Sequence, residues 1–390
     1  MDGHELTYLQ HIDEPSWQRI AQEVLDCERA DILSRKAEEI FIGIGAGTRV
    51  FRVTGSSNTG HRGTRRWTVI IKVLSLEKLD FQSTSSDARS WDYWKREWHA
   101  YRSDWLHRHH GTLIAPRCFG SGEVRLGKSE GEMAWIAMTD LTSSQHRPWT
   151  LTSFRTVASH LGTFNGRYLD PAGQPADPWI SRDWLRGWSE QAAPFINQLS
   201  SANAHSDAKR IFTADLVDDL IRTWDERESL HTALAELPQT FCHNDAFPRN
   251  VFLASPRGAQ SAAIDWAFCG LAPIGQELSA LVGVSQTFME IPRRCWDDLE
   301  QSCLDGYLSG LQLSTGGRSA DVRAGYVLSS ALRLGIGSIP PLFALTMTPQ
   351  HRNLVHRLFA CPYETWIDHA AAVMRFQQRV MRRARTLIGS

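Results

Sequence analysis

A chain of 390 residues, 42% hydrophobic and 22% charged, is long enough for more than one buried core, and its formal net charge of −1 excludes a generally basic or acidic surface. Neither nucleic acid nor an anionic membrane is therefore expected as a general partner. Seven cysteines, an odd number without Cys-x-x-Cys spacing, fit reduced thiols in the cytoplasm and not a disulfide framework. No N-terminal apolar signal and no apolar stretch long enough to cross a bilayer is expected, which describes a soluble protein.

In chain order, Asp13-Glu14-Pro15-Ser16-Trp17 reads as a helix start, with acidic residues and a first-turn Pro, so residues 1–37 are expected as a helical extension. Phe41 to Val53 reads as strand, glycine-rich turn and strand. Gly43, Gly45 and Gly47 permit close backbone approach and positive φ, so amide N–H groups there can face phosphates; a plain glycine hairpin has the same pattern. No Gly-Lys-Ser/Thr follows, which excludes a Walker loop. Thr54 to Arg66, with His61, Arg62, Arg65 and Arg66, reads as a solvated loop, with phosphate contact as the alternative.

Trp67 to Val73 is a β-branched run in which Lys72 stands between apolar neighbours; such a Lys usually points to solvent from an edge. A polar linker at Gln82 to Ser86 precedes a predicted helix, Trp91 to Arg108, on which Glu97 has a plain reading as a solvated charge. His107, His109 and His110 lack partners at metal-ligand spacing and read as helix-end histidines. Strands over Arg117 to Val124 and Met133 to Met138, joined by a turn at Gly127 to Gly131, lead to Thr139-Asp140-Leu141.

Beyond Leu141 the apolar period becomes helical over Leu151 to Asn165, Ser181 to Leu199, Asp215 to Leu237 and Arg293 to Gly310. Among these helices stands Phe241-Cys242-His243-Asn244-Asp245-Ala246-Phe247-Pro248-Arg249-Asn250, then Ile264-Asp265-Trp266. Thr240 to Cys242 enters the loop as a strand, Val251 to Leu253 leaves it as another, and Ala262 to Ile264 returns toward Asp265. A β-ribbon of this kind is expected to bring Asp245, Asn250 and Asp265 to one edge. Phosphoryl transfer needs such groups: one carboxylate to orient the attacking hydroxyl and accept its proton, and an amide oxygen with a second carboxylate to hold Mg²⁺ against the nucleotide phosphates.

With these residues the chain resembles the aminoglycoside phosphotransferase and choline kinase-like family, relatives of the protein kinases. That family's usual motif reads His-Gly-Asp or His-Asn-Asp, four residues, Asn, and later Ile-Asp-Phe or Ile-Asp-Trp. The resemblance extends over about Ile40 to Gly310 and rests most firmly on the loops around Asp245 and Asp265. It implies an α+β, bilobal protein kinase-like fold, with a nucleotide-binding small lobe of antiparallel sheet plus one helix at 38–140 and a mostly helical catalytic and acceptor-binding lobe at 141–390. It also implies that Lys72 steadies the α- and β-phosphates with Glu97 as its partner, that Gly43, Gly45 and Gly47 cover them, and that backbone groups at Ala137, Met138 and Thr139 meet the adenine edge. Asp140 reads either as part of that hinge or as a simple cap. Leu271 to Leu278 resembles the family's helix start after the metal loop. His243 is expected to brace the loop without a part in the chemistry.

The expected activity is transfer of the γ-phosphoryl group of ATP or GTP, with Mg²⁺, to a hydroxyl of a small molecule: an antibiotic such as an aminoglycoside or macrolide, a sugar-like metabolite, or an amino alcohol. The alternative is a catalytically inactive pseudokinase that binds nucleotide and partners, against which stands the joint presence of Lys72, Asp245, Asn250 and Asp265. Ala267, where protein kinases keep the Gly of Asp-Phe-Gly, and the lack of an Ala-Pro-Glu segment argue against a protein kinase. Two charge patterns bear on the acceptor. Asp215, Asp218, Asp219, Asp225, Glu226, Asp297, Asp298 and Glu300 could line a cleft for a polycation or simply face solvent, whereas Arg375, Arg379, Arg382, Arg383 and Arg385 form a basic C-terminal helix. The fifteen Trp residues could hold a quaternary ammonium or fill cores.

Overall fold

The computed structural model describes residues 8–40, 48–76, 84–106, 111–126, 131–142, 147–202, 205–311, 317–347 and 352–389. The chain divides into two compact units: Met1–Ala88, Asp92–His110 and Ile114–Gln145 form the first, and Arg89–Trp91, Gly111–Leu113 and His146–Ser390 the second.

The first unit is built on a five-stranded antiparallel sheet. Its strands are β1 (Asp31–Ile40), β2 (Thr48–Asn58), β3 (Thr64–Ser75), β5 (Cys118–Arg125) and β6 (Glu132–Met138), in the order β1-β2-β3-β6-β5. The short β4 (Leu113–Ile114) pairs elsewhere. Along β3 the alternation is strict: Trp67, Val69, Ile71 and Val73 turn into a core completed by Trp17, Ile20, Ala21 and Leu25 of helix α1 (Glu14–Leu25). Lys72 consequently points to the opposite face, toward helix α2 (Arg96–Arg102). Helix α1 begins as its sequence foretold, with Asp13 Oδ1 accepting the Ser16 N–H at 2.8 Å.

Three expectations for this region change. The helix ends at Leu25, and Asp31–Ile40 is the edge strand, so residues 1–37 contain no purely helical extension; α1 is part of the sheet's own core. The charged alternation of Asp31 to Ile40 is that of an exposed strand, which a helical reading overlooks. Thr54 to Arg66 is mostly β2 and β3 running out together, with only a Gly60–Arg62 tip. The helix expected from Trp91 to Arg108 is confined to Arg96–Arg102, followed by a 3₁₀ turn at Asp104–Leu106. Gly43, Gly45, Gly47, His107, His109 and His110 lie outside the described residues.

The second unit is mainly helical. Helix α3 (Leu151–Gly166) and helix α7 (Trp296–Gly310) approach so closely that a Cβ on Gly162 would stand 2.2 Å from the Tyr307 carbonyl oxygen, and one on Gly310 1.9 Å from that of Ser159. Between them in sequence come α4 (Trp184–Glu190), α5 (Ala214–Asp225) and α6 (Arg227–Glu236); α8 (Gly317–Ser330) and α9 (Tyr363–Ile388) follow. The spans expected over 181–199 and 215–237 are each interrupted, the second at Glu226. The helical run Arg318–Met347, interrupted by Asp321, Arg323 and Arg333, is long and apolar enough to cross a bilayer by length and composition, but 78% of its apolar window is buried inside the protein.

The strands around the motif do not form the single ribbon expected. β7 (Gln239–Cys242) pairs antiparallel with β10 (Gly270–Pro273), whereas β8 (Val251–Leu253) pairs with β9 (Ser261–Ala263) in a separate sheet with β4. Hydrogen bonds between the loops take over the joining that the ribbon was expected to provide.

Candidate active site

Strand β7 is anchored before the motif begins. Thr240 Oγ1 donates to the Asn165 carbonyl oxygen at 2.5 Å, Asn165 Nδ2 donates to the Phe241 carbonyl oxygen at 2.8 Å, and Tyr307 Oη donates to Asn165 Oδ1 at 2.7 Å. These are the two helices brought together by their glycines, so the α3–α7 packing fixes the entry to the loop.

The chain then turns at Asn244, whose φ of 66° lies in the left-handed region that Asn tolerates and most side chains avoid. Glu277, fully buried, accepts the His243 N–H at 2.5 Å and the Asn244 N–H at 3.1 Å through its two carboxylate oxygens. Burial pushes its carboxyl up to about 7, against the pull of those two donors. The Asn244 side chain is pinned as well, donating to the Phe268 carbonyl oxygen at 3.0 Å and accepting from Gln276 Nε2 at 2.8 Å.

His243 and Ile264 sew the two motif stretches together. The Asp245 N–H donates to His243 Nδ1 at 3.1 Å, which leaves Nε2–H to donate to the Ile264 carbonyl oxygen at 2.8 Å and fixes the tautomer. The Ile264 N–H in turn donates to the Asn250 carbonyl oxygen at 2.9 Å. Asn250 Nδ2 donates to Asp245 Oδ2 at 2.7 Å and to the Asp245 carbonyl oxygen at 3.0 Å, so its Oδ1 is left as an oxygen donor. Asp265, at φ 63°, takes a left-handed conformation next to Ile264. It is close enough for its charge to act on Asp245.

Arg333 closes the Asp245 carboxylate from the other side. Its Nη2 stands 2.5 Å from Asp245 Oδ1, and its Nη1 donates to the Asn244 carbonyl oxygen. Burial pushes the Asp245 carboxyl up to about 7; Arg333 and Asn250 oppose that rise and the Asp265 charge adds to it. Among the described residues no group of three or more His, Cys, Asp or Glu side chains forms a metal cage. Asn250 Oδ1 and the Asp265 carboxylate are hard oxygen donors, which fit Mg²⁺ when substrate phosphates complete its shell.

In the first unit, Lys72 Nζ stands 2.5 Å from Glu97 Oε2, with side-chain exposures of 8% and 1%. Neither is a solvated charge. Ala137 and Met138 end strand β6 and are buried, and the Thr139 N–H donates to the Arg117 carbonyl oxygen at 3.0 Å, so it is already committed. Asp140 acts as a cap, accepting from the Thr142 N–H at 3.0 Å and from Arg52 Nε at 2.9 Å.

The family model described as the phosphotransferase enzyme family matches residues 96–312, more than half of the chain. The chain belongs to the phosphotransferase enzyme family. No curated protein matches its sequence. Among solved structures, an amicoumacin kinase in complex with AMP-PNP, Ca²⁺ and Ami is similar at 13% identity and a TM-score of 0.52, with 97% of this chain and 96% of that one covered. An ethanolamine kinase from Plasmodium vivax gives 11% identity and a TM-score of 0.48 over 95% and 85% of the two chains. A spectinomycin phosphotransferase in complex with ADP and spectinomycin gives 14% and 0.45 over 88% and 93%. The first likeness shows the fold: the α+β, kinase-like arrangement expected from the sequence, with an antiparallel sheet in the N-terminal part and a helical C-terminal part. Family and fold together make this chain a phosphotransferase on a kinase-like fold.

Sequence reasoning found His243, Asn244, Asp245, Asn250 and Asp265 as a motif but gave no role to Glu277 and missed Arg333. Glu277 stood in a recognisable Gln-Glu-Leu run; Arg333 carries no local signal, since it lies 88 positions beyond its partner. The two charge patterns that pointed to opposite acceptors neutralise one another in part. Asp219 accepts from Arg382 Nε at 2.8 Å and from Arg385 Nη2 at 2.5 Å, Arg383 pairs with Glu300 at 2.6 Å, and Arg379 pairs with Asp297 at 3.3 Å.

Proposed function

We propose that this phosphotransferase moves the γ-phosphoryl group of ATP or GTP to a hydroxyl of a small molecule, with Asp245 as general base and Asn250 and Asp265 as ligands of Mg²⁺. One observation carries the reading: Ile264 bonds both His243 and Asn250, so the loop bearing the base and the stretch bearing the second carboxylate are held together by the motif's own backbone. Asp245 has one oxygen on Asn250 and the other on Arg333, which fixes the carboxylate plane and leaves lone pairs for an acceptor O–H. A half-buried carboxyl pushed toward neutral pH suits proton acceptance during attack. An ion bound by Asn250 and Asp265 would neutralise charge on the phosphates as the bond to the leaving oxygen loosens.

Lys72, held by Glu97, is proposed to pair with nucleotide phosphates, and Gly43, Gly45 and Gly47 to cover them. Ala137, Met138 and Thr139 are proposed at the adenine edge, where Thr139 would offer its carbonyl because its N–H already serves Arg117. A cytoplasmic location is proposed as well, which seven free cysteines support. The test is a thermal-shift titration with Mg-ATP and Mg-GTP, then a screen for ADP or GDP release over hydroxyl-bearing compounds. Turnover on an acceptor that Asp245→Ala abolishes is the expected result. Nucleotide binding with no turnover on any acceptor would favour a scaffold.

A further inference from the structure

The loop that carries the proposed base and a proposed metal ligand is held by two different carboxylates. Glu277 takes the N–H groups at its entry, those of His243 and Asn244. At its exit, Pro248 and Arg249 are held through Glu290, a residue outside the motif. Glu290 Oε2 accepts from Arg147 Nη1 at 2.7 Å and Oε1 from Arg249 Nε at 2.9 Å, and the Glu290 side chain is only 13% exposed. Each arginine has a second hold. Arg147 Nη2 donates to the Pro248 carbonyl oxygen, and Arg249 Nη1 donates to the Leu358 carbonyl oxygen at 3.0 Å. One carboxylate thus grips Arg249 directly and the preceding residue through Arg147. Asn250 comes next.

The turn that delivers Glu290 is made against backbone preference. After the helical turn Ser285–Thr287, the Met289 N–H donates to the Gln286 carbonyl oxygen at 3.1 Å and the Glu290 N–H to that of Ser285 at 3.0 Å, the paired bonds of a Schellman end. Such an end needs a left-handed residue, usually glycine, and here Met289 supplies it at φ 60°. A strained conformation persists where its surroundings over-determine it. Here Phe288 stacks on Phe247 of the loop, with ring centroids 5.6 Å apart at 15°, and the Arg249 guanidinium lies 4.1 Å over the Phe288 ring. Phe247 is itself buried with Ala280, Val284 and Leu334, the last from the π-helical segment Ala331–Gly335 that carries Arg333. The Phe247 carbonyl oxygen accepts the Asn250 N–H at 2.9 Å, so the seat of Phe247 sets where Asn250 stands. Two plain surface ion pairs would fix nothing of the kind. These two share a largely buried carboxylate, and one helix end holds the loop exit by a ring and a charge together.

We propose that Glu290 is a positioning residue for the metal: by holding Arg147 and Arg249 around Pro248, it sets the Asn250 Oδ1 that Mg²⁺ would take. This rests on the phosphotransferase reading with Asn250 as a metal ligand. It gives the two ends of the loop separate supports, Glu277 and Arg333 on the side of the base and Glu290 on the side of the metal.

The experiment is calorimetry of ATP binding to the full chain with and without Mg²⁺, on wild type, Glu290→Gln, Arg147→Gln and Asn250→Ala, with Asp219→Asn as a variant perturbed elsewhere. Glu290→Gln should weaken ATP binding about tenfold when Mg²⁺ is present, the low end of what outer-shell changes cost a metal site, and leave Mg²⁺-free binding within about twofold. Arg147→Gln should give part of the same loss and Asp219→Asn none. If Glu290→Gln does not fold, Arg147→Gln carries the test. A wild-type Mg²⁺ dependence in folded Glu290→Gln, or in Arg147→Gln where the first variant does not fold, overturns the proposal. So does equal weakening with and without Mg²⁺, which is what a merely loosened structure gives. Failure of the underlying reading shows separately: wild type then binds ATP without Mg²⁺ dependence, or Asn250→Ala keeps that dependence, and the proposal falls with it.

Discussion

Lys72–Glu97 and Arg333–Asp245 are both closed at 2.5 Å and both largely buried, yet they are built from opposite materials. The first joins a regular strand to a regular helix, β3 to α2, and neither partner is proposed to exchange a proton. The second joins a π-helical segment to a loop whose neighbouring Asn244 is left-handed, and one partner is the proposed base. Burial raises the cost of leaving either charge alone, so both pairs are stable only as pairs. The difference is that Asp245 must also accept a proton, and Asn250 and His243 share in holding it.

The largest effect that sharpens this contrast is on catalysis. Asp245→Ala should lower turnover by about 10²–10⁴-fold, the span of a lost general base, with nucleotide affinity little changed. Steady-state kinetics beside nucleotide calorimetry reads both, and equal losses in the two would make Asp245 a folding residue. Next comes stability. Lys72→Met leaves Glu97 buried without its cation and should cost about 3–5 kcal/mol in urea unfolding, most of it recovered in the double variant with Glu97→Leu. A single variant as stable as wild type would break the comparison from that side.

Smaller effects belong to the matched charges away from the site. Asp219→Asn frees Arg382 and Arg385 and should cost about 1–3 kcal/mol without altering nucleotide kinetics. Of the same size is a pH effect. Burial holds His231 down at about 4, so it is neutral in the folded protein while an unfolded histidine charges near 6.5. A folded pKa below the unfolded one means stability present above about 6.5 and lost as pH falls toward about 4, here by about 1–3 kcal/mol. Urea unfolding at pH 7.5 and 5 should show the loss, and His231→Gln should flatten it; an unchanged slope removes His231 as its cause.

What the sequence made legible follows chain distance and regularity. Lys72 in a β-branched run and the His243 to Asn250 stretch are short patterns with a chemical meaning, and both could be read directly. Asp31–Ile40 was misread because an exposed edge strand has the same polar composition as a surface helix. The ribbon was misplaced because strand pairing is a long-range choice: β7 pairs with β10, which adjacency in sequence does not foretell. Arg333 was invisible for the same reason, compounded by the π-helical geometry that no apolar periodicity announces. The acids of α5 and the arginines of α9 were each visible, but not that they face each other.

The central claim is most directly tested by calorimetry of nucleotide binding with and without Mg²⁺, on wild type, Asp245→Ala and Asp265→Ala. Asp265→Ala should lose the Mg²⁺-dependent part of the affinity while Asp245→Ala keeps it. An Mg²⁺ dependence unchanged by Asp265→Ala would contradict the assignment of that carboxylate to the metal, and with it the joined two-loop site.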